Sequence, residues 1–216
     1  MMAGVPLISV VMGVFNGAAD LDKTISSVLS QEGVALEFIV VDDGSTDGTA
    51  EILASWALRD SRLRVISQTN RGLTEALVVG CEAARGELIA RQDCGDTSDP
   101  ERLASQASYF RTDETLVAVF CDASFWVDEG ICAYVAHTNL EAMASSFDGS
   151  SAPLGPAHHG TAMFRASAYR RVGGYRTPFR YAQDLDLWAR LAEVGTFKAV
   201  PAALYRAKLE PKSISA

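Results

Sequence analysis

The chain has 216 residues, of which 48% are hydrophobic and 21% are charged, and it carries a formal net charge of -8. This length and composition are typical of one globular domain with a substantial core, and they exclude an intrinsically disordered chain. The acidic surface repels phosphate backbones, so no nucleic-acid partner is expected.

The N-terminal segment and the cysteines predict the cellular compartment. Residues 1–6 contain no basic segment followed by an apolar stretch, so no signal peptide is predicted. The longest apolar run, Leu7–Phe15, is shorter than the roughly 20 residues that span a bilayer. The four cysteines form no C-x-x-C pair, and no structural zinc site is expected. We therefore expect a reduced, cytoplasmic protein.

Strand and helix patterns alternate through the first half of the chain. The predicted strands are Leu7–Phe15, Phe38–Val41, Leu63–Ser67 and Glu87–Arg91. The helical patterns between them run through Leu21–Leu29, Ile52–Trp56 and Leu73–Gly80. Gly86 is expected to cap the third helix, and a fourth helix is expected to begin with Asp99 as N-cap and Pro100 as first residue. This alternation predicts an α/β fold with one doubly wound, mostly parallel sheet flanked by helices.

The second half is less regular. Two strands, Leu116–Cys121 and Phe125–Val135, and a short helix at Asn139–Phe147 are predicted there. Asp148–Pro156 is rich in Gly, Ser and Pro, which is typical of a loop. No repeat or composition shift marks a boundary, so residues 1–216 are expected to form a single domain.

Polar clusters follow three of the predicted strands, at Asp42–Asp47, Asn70–Gly72 and Asp93–Asp96. Doubly wound sheets bind ligands outside the carboxyl ends of their strands, so these clusters are expected to meet at one edge. Asp42 and Asp43 fit either a simple turn or an acceptor for the N–H of a uracil ring. Arg71 fits either a solvated turn or a cation for a diphosphate.

Asp93 and Asp96 form the sharper signal. Together with Asp42 and Asp43 they place several carboxylates on one edge, where they repel each other and repel a phosphate. A hard divalent cation with oxygen ligands resolves both repulsions. Mg²⁺ or Mn²⁺ fits this donor set, whereas zinc does not.

The segment Gln183–Trp188 lies late in the chain. Asp184 is either an N-cap or a general base acting on an acceptor hydroxyl. Trp188 fits a stacking platform for a sugar and buried helix packing equally well. The adjacent His158 and His159 point to opposite faces if they lie in a strand, so at most one of them is expected to face the cleft.

The chain resembles the family-2 glycosyltransferases, which adopt the GT-A fold, from Leu7 to about Ser215. The segments that carry the resemblance are Ile8–Asn16, Val40–Thr49 (VVDDGSTDGT), Asn70–Leu73, Ala83–Ala90, Asp93–Asp96, Pro100–Leu103, His159–Arg165, Val172–Tyr175 and Gln183–Trp188. Each is weak alone, but in this order they are highly specific.

The resemblance implies an inverting, metal-dependent transfer of a sugar from a nucleotide-sugar, with UDP-sugar as the expected donor. It implies a donor-binding half at residues 1–112 and an acceptor-binding half at residues 113–216. The implied donor contacts are Val14, Asn16, Asp42, Asp43, Ser45, Arg71 and Asp93. Asp96 and Asp93 would hold Mg²⁺ or Mn²⁺, and Asp184 would be the base. The implied acceptor contacts are His159, Asp186 and Trp188.

The implied acceptor is a carbohydrate or a lipid-linked molecule, used in polysaccharide or glycoconjugate synthesis. A lipid-linked acceptor would bring the protein into peripheral contact with the inner face of the membrane.

The chain departs from the family pattern at three informative positions. Gly95 replaces the second Asp of the metal motif, so Asp96 must take over or metal binding weakens. Gln183 replaces the Glu that precedes the base, which removes a negative neighbour from Asp184. Lys208 lies where the family often has a His, so the cation lacks one ligand or Lys208 partly replaces its charge.

These departures motivate a second hypothesis, a nucleotide-sugar-binding module that has lost catalysis. A third, nucleotidyl transfer onto sugar phosphates, is disfavoured because no Gly-rich phosphate-binding loop with an adjacent Arg follows the first strand.

Overall fold

The computed structural model describes residues 7–128, 130–147 and 154–209. Its strands are β1 (Leu7–Val14), β2 (Ala35–Asp42), β3 (Leu63–Ser67), β4 (Leu88–Arg91), β5 (Thr97–Ser98), β6 (Leu116–Asp128), β7 (Ile131–Ala136), β8 (Met163–Arg165) and β9 (Thr196–Lys208). Its helices are α1 (Leu21–Leu29), α2 (Thr49–Arg59), α3 (Leu73–Glu82), α4 (Arg102–Phe110), α5 (Leu140–Ser146), α6 (Ala166–Arg171) and α7 (Gln183–Ala192).

All the described strands belong to one mixed sheet, in the order β3-β2-β1-β4-β8-β6-β9-β5. The first four strands in this order are parallel, and β9 runs parallel to β6. The short strand β8 lies between β4 and β6 and is antiparallel to both. The outer part of β6 pairs with β7 as an antiparallel hairpin. The sheet contains strands from both predicted halves of the chain. β8, from the second half, pairs directly with β4, from the first half.

Helices cover both faces of the sheet, as expected for a doubly wound fold. The core of one face comes from α1, α2, α4 and the sheet, and includes Leu21, Ile25, Leu53, Leu103, Val10, Met12 and Phe38. The core of the other face comes from α3, α6, α7 and the sheet, and includes Ala76, Leu77, Tyr169, Leu187, Trp188, Val11 and Ile39. Full burial of each large apolar side chain stabilises the fold by about 1.5–3 kcal/mol.

Two predicted element boundaries are wrong, and one predicted loop is only partly described. The α4 helix begins at Arg102 with Glu101 at its N-cap, because the Asp99 carboxylate accepts the Glu101 N–H at 3.0 Å in the preceding turn. The segment predicted as one strand, Phe125–Val135, is a hairpin shared by β6 and β7. Of the predicted loop Asp148–Pro156, residues 148–153 lie outside the described part of the chain.

Gly86 lies beyond the end of α3 and is not its cap, since the C-cap residue is Ala83. Its backbone instead packs directly against β1, and its N–H donates to Ser9 Oγ at 2.8 Å. A Cβ at this position would lie 2.6 Å from the Leu7 carbonyl oxygen and 2.7 Å from the Ser9 nitrogen. Only glycine permits this close approach.

The substitution Gly86→Ala is therefore expected to lower the free energy of unfolding by about 1–3 kcal/mol. Urea denaturation of the purified protein measures this change. Gly130→Ala is the matched control, because a Cβ there meets no atom within 4 Å. Equal denaturation midpoints for the two variants would contradict the close packing of Gly86 on β1.

No helix in the described ranges is both long enough and apolar enough to cross a membrane.

Candidate active site

The end of β1 and the loop after β2 are fixed to each other by hydrogen bonds. Asn16 has a positive φ of 54°, and its side-chain oxygen accepts the Thr46 N–H at 2.8 Å. The Asn16 N–H donates to Ser45 Oγ at 3.0 Å. The Val14 carbonyl accepts the Asp43 N–H at 2.8 Å. The structure therefore brings Val14, Asn16, Asp43 and Ser45 together at the carboxyl ends of two neighbouring strands.

Asp43 also fixes the turn that follows β3. Its Oδ1 accepts from Gln68 Nε2 at 2.6 Å and from the Arg71 N–H at 2.9 Å. Its Oδ2 accepts the Gly72 N–H at 2.7 Å. Both carboxylate oxygens of Asp43 are thus used to shape the loop, and the polar clusters after β2 and β3 meet at one edge of the sheet.

Asp42 and Arg71 differ in exposure. Asp42 is buried, and its Oδ1 accepts the Ser45 N–H at 3.0 Å. Arg71 is exposed, and its guanidinium donates to Gln68 Oε1 at 3.2 Å. The Arg71 side chain can therefore move towards a ligand at this edge at the cost of one exposed hydrogen bond.

The third polar cluster follows β4 and is stabilised by the side chain of Arg91. The Arg91 side chain is fully buried, donates to the Val11 carbonyl at 2.7 Å and forms an ion pair with Asp93 Oδ1 at 2.5 Å. Burial by itself raises the pKa of Asp93, but the charge of Arg91, with smaller contributions from His159 and His158, lowers this pKa to about 2. Asp93 therefore stays ionised, because it forms an ion pair with the positively charged Arg91 guanidinium.

Asp96 lies beside Asp93 but is held by the last strand. Its Oδ2 accepts from the Tyr205 hydroxyl at 2.8 Å, and its Oδ1 accepts the Lys208 N–H at 2.9 Å. Burial and the Asp93 charge raise the pKa of Asp96 to about 7, although both of these hydrogen bonds oppose the shift. Two carboxylates that repel in this way attract a cation.

Lys208 forms polar interactions through both its backbone and its side chain. Its backbone N–H holds Asp96, while its ammonium group forms an ion pair with Asp20 at 2.6 Å. The adjacent Gly95 has a φ of 97°, a left-handed conformation that glycine adopts without strain.

His158 completes an Asp93, Asp96 and His158 cluster whose ligand atoms all lie within 4.8 Å of one another. Its Nδ1 accepts the Gly160 N–H at 3.0 Å, so the neutral ring carries its proton on Nε2. Nε2 lies 3.9 Å from Asp96 Oδ2. Burial lowers the pKa of His158, with Asp93 opposing, so the ring is neutral at pH 7. This tautomer suits His158 to donate a hydrogen bond rather than to coordinate a metal.

The two carboxylates alone fit a hard divalent cation. Mg²⁺ in proteins is commonly held by one or two carboxylates, with water and substrate phosphates as the other ligands. Asp93 and Asp96 provide this donor set, and their mutual repulsion in the folded protein is relieved when a cation binds between them.

Asp184 lies in the same cleft as Asp93. The cleft has a volume of about 540 Å³ and is lined by residues that include Asp93, Asp184, His158 and His159. Asp184 is the second residue of α7 and not its N-cap, which is Ala182 with a left-handed φ of 56°. The carboxylate therefore lies in the first helical turn.

Both histidines line the cleft, so the expectation that at most one would do so is wrong. The physical reason is local: His158 is extended, but His159 begins a 3-10 turn that ends at Thr161, and strand alternation does not apply. His159 Nε2 lies 2.8 Å from the Tyr175 hydroxyl and 3.3 Å from Arg91 Nε. Burial, followed by the Arg91 charge, lowers the pKa of His159 to about 4, so it is neutral at pH 7.

Trp188 and Asp186 do not face this cleft. Trp188 has no exposed surface and packs edge-on against Phe120 at 5.2 Å, so its ring belongs to the core and cannot stack on a sugar. The Asp186 carboxylate is paired with Arg190 and Arg176. The packing alternative for Trp188 is the one that the structure supports, because its position on α7 points towards the sheet.

Arg91 and Tyr205 are site residues that the sequence interpretation missed. An arginine at the end of a fully buried strand needs a buried acceptor or counter-ion, and the nearby Asp93 was the available signal. No such signal existed for Tyr205, which is 109 residues from Asp96 in the sequence.

The site thus combines a doubly wound mixed sheet with carboxylates after β2 and β4 and with another carboxylate, Asp184, that lines the same cleft as Asp93. Residues 9–173 match the model of glycosyl transferase family 2, and the chain belongs to this family. EpsE of Bacillus subtilis, a protein assigned as a glycosyltransferase, is 35% identical over 194 residues, which cover 88% of this chain and 68% of EpsE. The chondroitin synthase of Escherichia coli is 27% identical over 220 residues, 98% of this chain and 30% of the synthase.

Solved structures share the fold. TarS 1–349 of S. aureus in complex with UDP superimposes with a TM-score of 0.74 at 19% identity, covering 94% of this chain and 61% of the TarS chain. The mannosyltransferase PcManGT of Pyrobaculum calidifontis, in complex with GDP-Man and Mn²⁺, gives a TM-score of 0.75 at 22% identity, with coverages of 97% and 59%. This likeness confirms the predicted GT-A fold. The chain spans about three-fifths of these crystallised chains.

Proposed function

We propose that the chain transfers a glycosyl group from a UDP-sugar to an acceptor hydroxyl, with inversion and with the help of a divalent cation. The observation that carries this proposal is that Asp184 lines the same cleft as Asp93, which clusters with Asp96. This arrangement supports the proposal that one cleft holds both a base for the acceptor and a site for the donor diphosphate.

The donor is proposed to bind at the carboxyl ends of β1, β2 and β3. Asp43 already accepts three hydrogen bonds, which leaves Asp42 as the better acceptor for the N–H of uracil. Arg71 is exposed beside this loop and is proposed to reach the base or the phosphates. The relatives support a nucleotide donor, since TarS is known in complex with UDP and with UDP-GlcNAc.

Asp93 and Asp96 are proposed to hold Mg²⁺ or Mn²⁺. When bound there, the cation would stabilise the negative charge that develops on the departing nucleoside diphosphate. The Nε2–H of His158 is directed to the same corner and can donate to a phosphate oxygen. The Mn²⁺ in the structure of PcManGT supports a cation in this fold.

Asp184 is proposed to accept the proton of the acceptor hydroxyl as its oxygen attacks the anomeric carbon. In this single displacement the new C–O bond forms as the bond to the diphosphate breaks, so the configuration inverts. Proton transfer to a positioned carboxylate of this kind is general-base catalysis.

Calorimetric titration of UDP, with and without Mn²⁺, tests the donor part of the proposal. Mn²⁺-dependent binding is the expected result, followed by UDP release from one member of a panel of UDP-sugars. A folded protein that binds UDP under neither condition would refute the UDP assignment.

Tyr205 gives a second test of the metal site. Tyr205→Phe removes the hydroxyl that accepts the Asp93 N–H at 3.0 Å and donates to Asp96. Loss of these two bonds loosens both carboxylates, and we expect the affinity for Mn²⁺ to fall about tenfold, or about 1.4 kcal/mol. The Mn²⁺ electron paramagnetic resonance signal measures free metal directly.

Tyr169→Phe is the control, because this tyrosine is also buried and its hydroxyl accepts the Tyr175 N–H at 3.1 Å, away from the carboxylates. Unchanged Mn²⁺ affinity in Tyr205→Phe, or an equal loss in Tyr169→Phe, would contradict a metal held by Asp93 and Asp96.

Two broader expectations remain predictions. One is the cytoplasmic location, with peripheral membrane contact through a lipid-linked acceptor. The other is the division of labour between residues 1–112 and 113–216. The hydrogen bonds from Tyr205 and Lys208 to Asp96 cross that division, so both halves are proposed to build the donor site.

A further inference from the structure

Tyr134 forms part of the cleft wall but has no role in the proposed donor site. It lies on β7, the outer strand of the hairpin, directly opposite Phe125 of β6. The two rings are stacked, with centroids 4.6 Å apart and an interplanar angle of 13°. Phe125 thus covers one face of the Tyr134 ring.

The other face of Tyr134 is open to the cleft. Tyr134 is 49% exposed although Phe125 covers one side, and it lines the cleft that also contains Asp184. A large aromatic ring held flat and left uncovered costs hydrophobic free energy, which burial against a ligand would recover. Because the same cleft contains the proposed base, the ligand that we consider is the acceptor.

The position of Tyr134 relative to the carboxylates is fixed by a continuous row of rings. Phe125 contacts His158 edge to face at 5.8 Å, and His158 stacks on Tyr205 at 5.2 Å. The Tyr205 hydroxyl donates to Asp96. A ligand resting on Tyr134 is therefore held at a set distance from the proposed donor site.

The rest of the cleft supplies both apolar and polar groups. Tyr181 is 68% exposed and lines the cleft together with Leu185, while Asp184, His158 and Arg180 provide groups that form hydrogen bonds. Ligand sites for small molecules combine aromatic surfaces with a few polar groups that fix orientation. A pyranose ring matches this mixture, because it has C–H-rich faces and hydroxyl groups around its edge.

We infer that the acceptor in the proposed transfer is a saccharide whose terminal pyranose ring stacks on the open face of Tyr134. This inference rests on the proposed function, since it assigns the acceptor of the reaction for which Asp184 is the base. It distinguishes a sugar acceptor from a lipid alcohol or a lipid phosphate recognised through its chain.

Saturation-transfer NMR with the whole chain, in the presence of UDP and the diamagnetic ion Mg²⁺, tests the inference. The probes are the methyl β-glycosides of glucose, galactose, N-acetylglucosamine, mannose and glucuronic acid, with farnesyl phosphate as the lipid probe. We expect at least one glycoside to bind and to receive most saturation at the C–H protons of one ring face. Tyr134→Ala should weaken its binding about tenfold, whereas Tyr134→Phe, which keeps the ring, should stay within about twofold.

Val135→Ala is the matched control. Val135 is the next residue of β7 and is 43% exposed, but its side chain points to the opposite face of the strand. Its replacement should leave glycoside binding unchanged while reporting any general damage to the hairpin.

Equal glycoside binding by Tyr134→Ala and the parent chain would overturn the inference. Failure of every glycoside to bind would also overturn it, whether or not farnesyl phosphate binds. The UDP titration separates this failure from failure of the proposed function: if UDP binds with Mn²⁺ but no glycoside binds, only the acceptor assignment is lost. If UDP does not bind either, the proposed function is lost as well.

Discussion

Replacement of Asp184 by Asn is expected to lower kcat for UDP release from the preferred UDP-sugar by about 10³-fold, within the range of 10²–10⁴ that general-base catalysis contributes. Asn has nearly the same shape as Asp but cannot take up a proton at neutral pH. The affinity for UDP is expected to stay within about twofold, because the proposed donor site lies at the ends of β1, β2 and β3 and does not include α7.

Asp184→Asn is expected to leave the fold intact, because of the position of Asp184 in α7. It is the second residue of α7, so the amide still fits the first helical turn, and the lost interaction with the helix dipole costs about 0.3–1 kcal/mol. Glu193→Gln is the control, because Glu193 is an exposed carboxylate just after the same helix. It should change kcat by less than about twofold.

The result also decides between enzyme and binding module. A parent protein that binds UDP but releases none from any UDP-sugar would support the non-catalytic alternative. A parent protein that turns over, with an Asp184→Asn variant of equal kcat, would show that Asp184 is not the base.

Replacement of Asp96 by Asn is expected to raise the Kd for UDP in the presence of Mn²⁺ by about 100-fold, or about 2.7 kcal/mol. In EDTA the parent and the variant should bind UDP equally weakly, since the effect acts through the cation. Calorimetric titration under both conditions measures all four affinities.

The variant is expected to fold. Burial and the neighbouring Asp93 charge already disfavour the ionised form of Asp96, so the neutral amide removes a repulsion. Asp93→Asn is a poorer choice, because it leaves the fully buried Arg91 without its counter-ion, and breaking a buried ion pair costs about 3–5 kcal/mol.

Asp113→Asn serves as the control for Asp96→Asn. The Asp113 side chain is half-buried, and its carboxylate accepts the Thr115 N–H at 2.9 Å in the turn before β6. The Asp113→Asn variant should have the same Mn²⁺-dependent affinity for UDP as the parent chain. Equal Mn²⁺-dependent binding by Asp96→Asn and the parent chain would remove Asp96 from the metal site.

The first half of the fold could be predicted because buried parallel strands have a simple pattern. The strand predicted at Leu7–Phe15 is β1, one residue shorter, and Leu63–Ser67 is β3. Both faces of β1 are buried, so its sequence is a continuous apolar run that needs no knowledge of its neighbours.

The second half could not be predicted in the same way. β9 has 13 residues, but it includes Pro201, is largely exposed or half-buried and is irregular in its pairing with β6. β8 has only three residues, and it exists because β4 and β6 lie on either side of it. Such strands depend on tertiary neighbours more than on local pattern.

The site also has features that could be predicted from the sequence and features that could not. Asp42, Asp43, Asp93 and Asp96 follow strands that are evident in the sequence, so their convergence could be expected. Their different tasks could not, since Asp43 holds a turn and Asp96 depends on Tyr205. Trp188 shows the converse problem: an aromatic residue near a motif looks equally suited to core and cleft until the helix is oriented.

The bonds from β9 to Asp96 have a consequence for biosynthesis. Lys208 follows Asp96 by 112 residues. The ribosome therefore adds Asp96 to the chain long before it adds the residues of β9 that orient the Asp96 carboxylate. While the chain is still being extended, the donor loops have their sequence but lack the last strand that aligns Asp96. The arrangement of Asp93 and Asp96 is therefore completed only after β9 has left the exit tunnel and paired with β6.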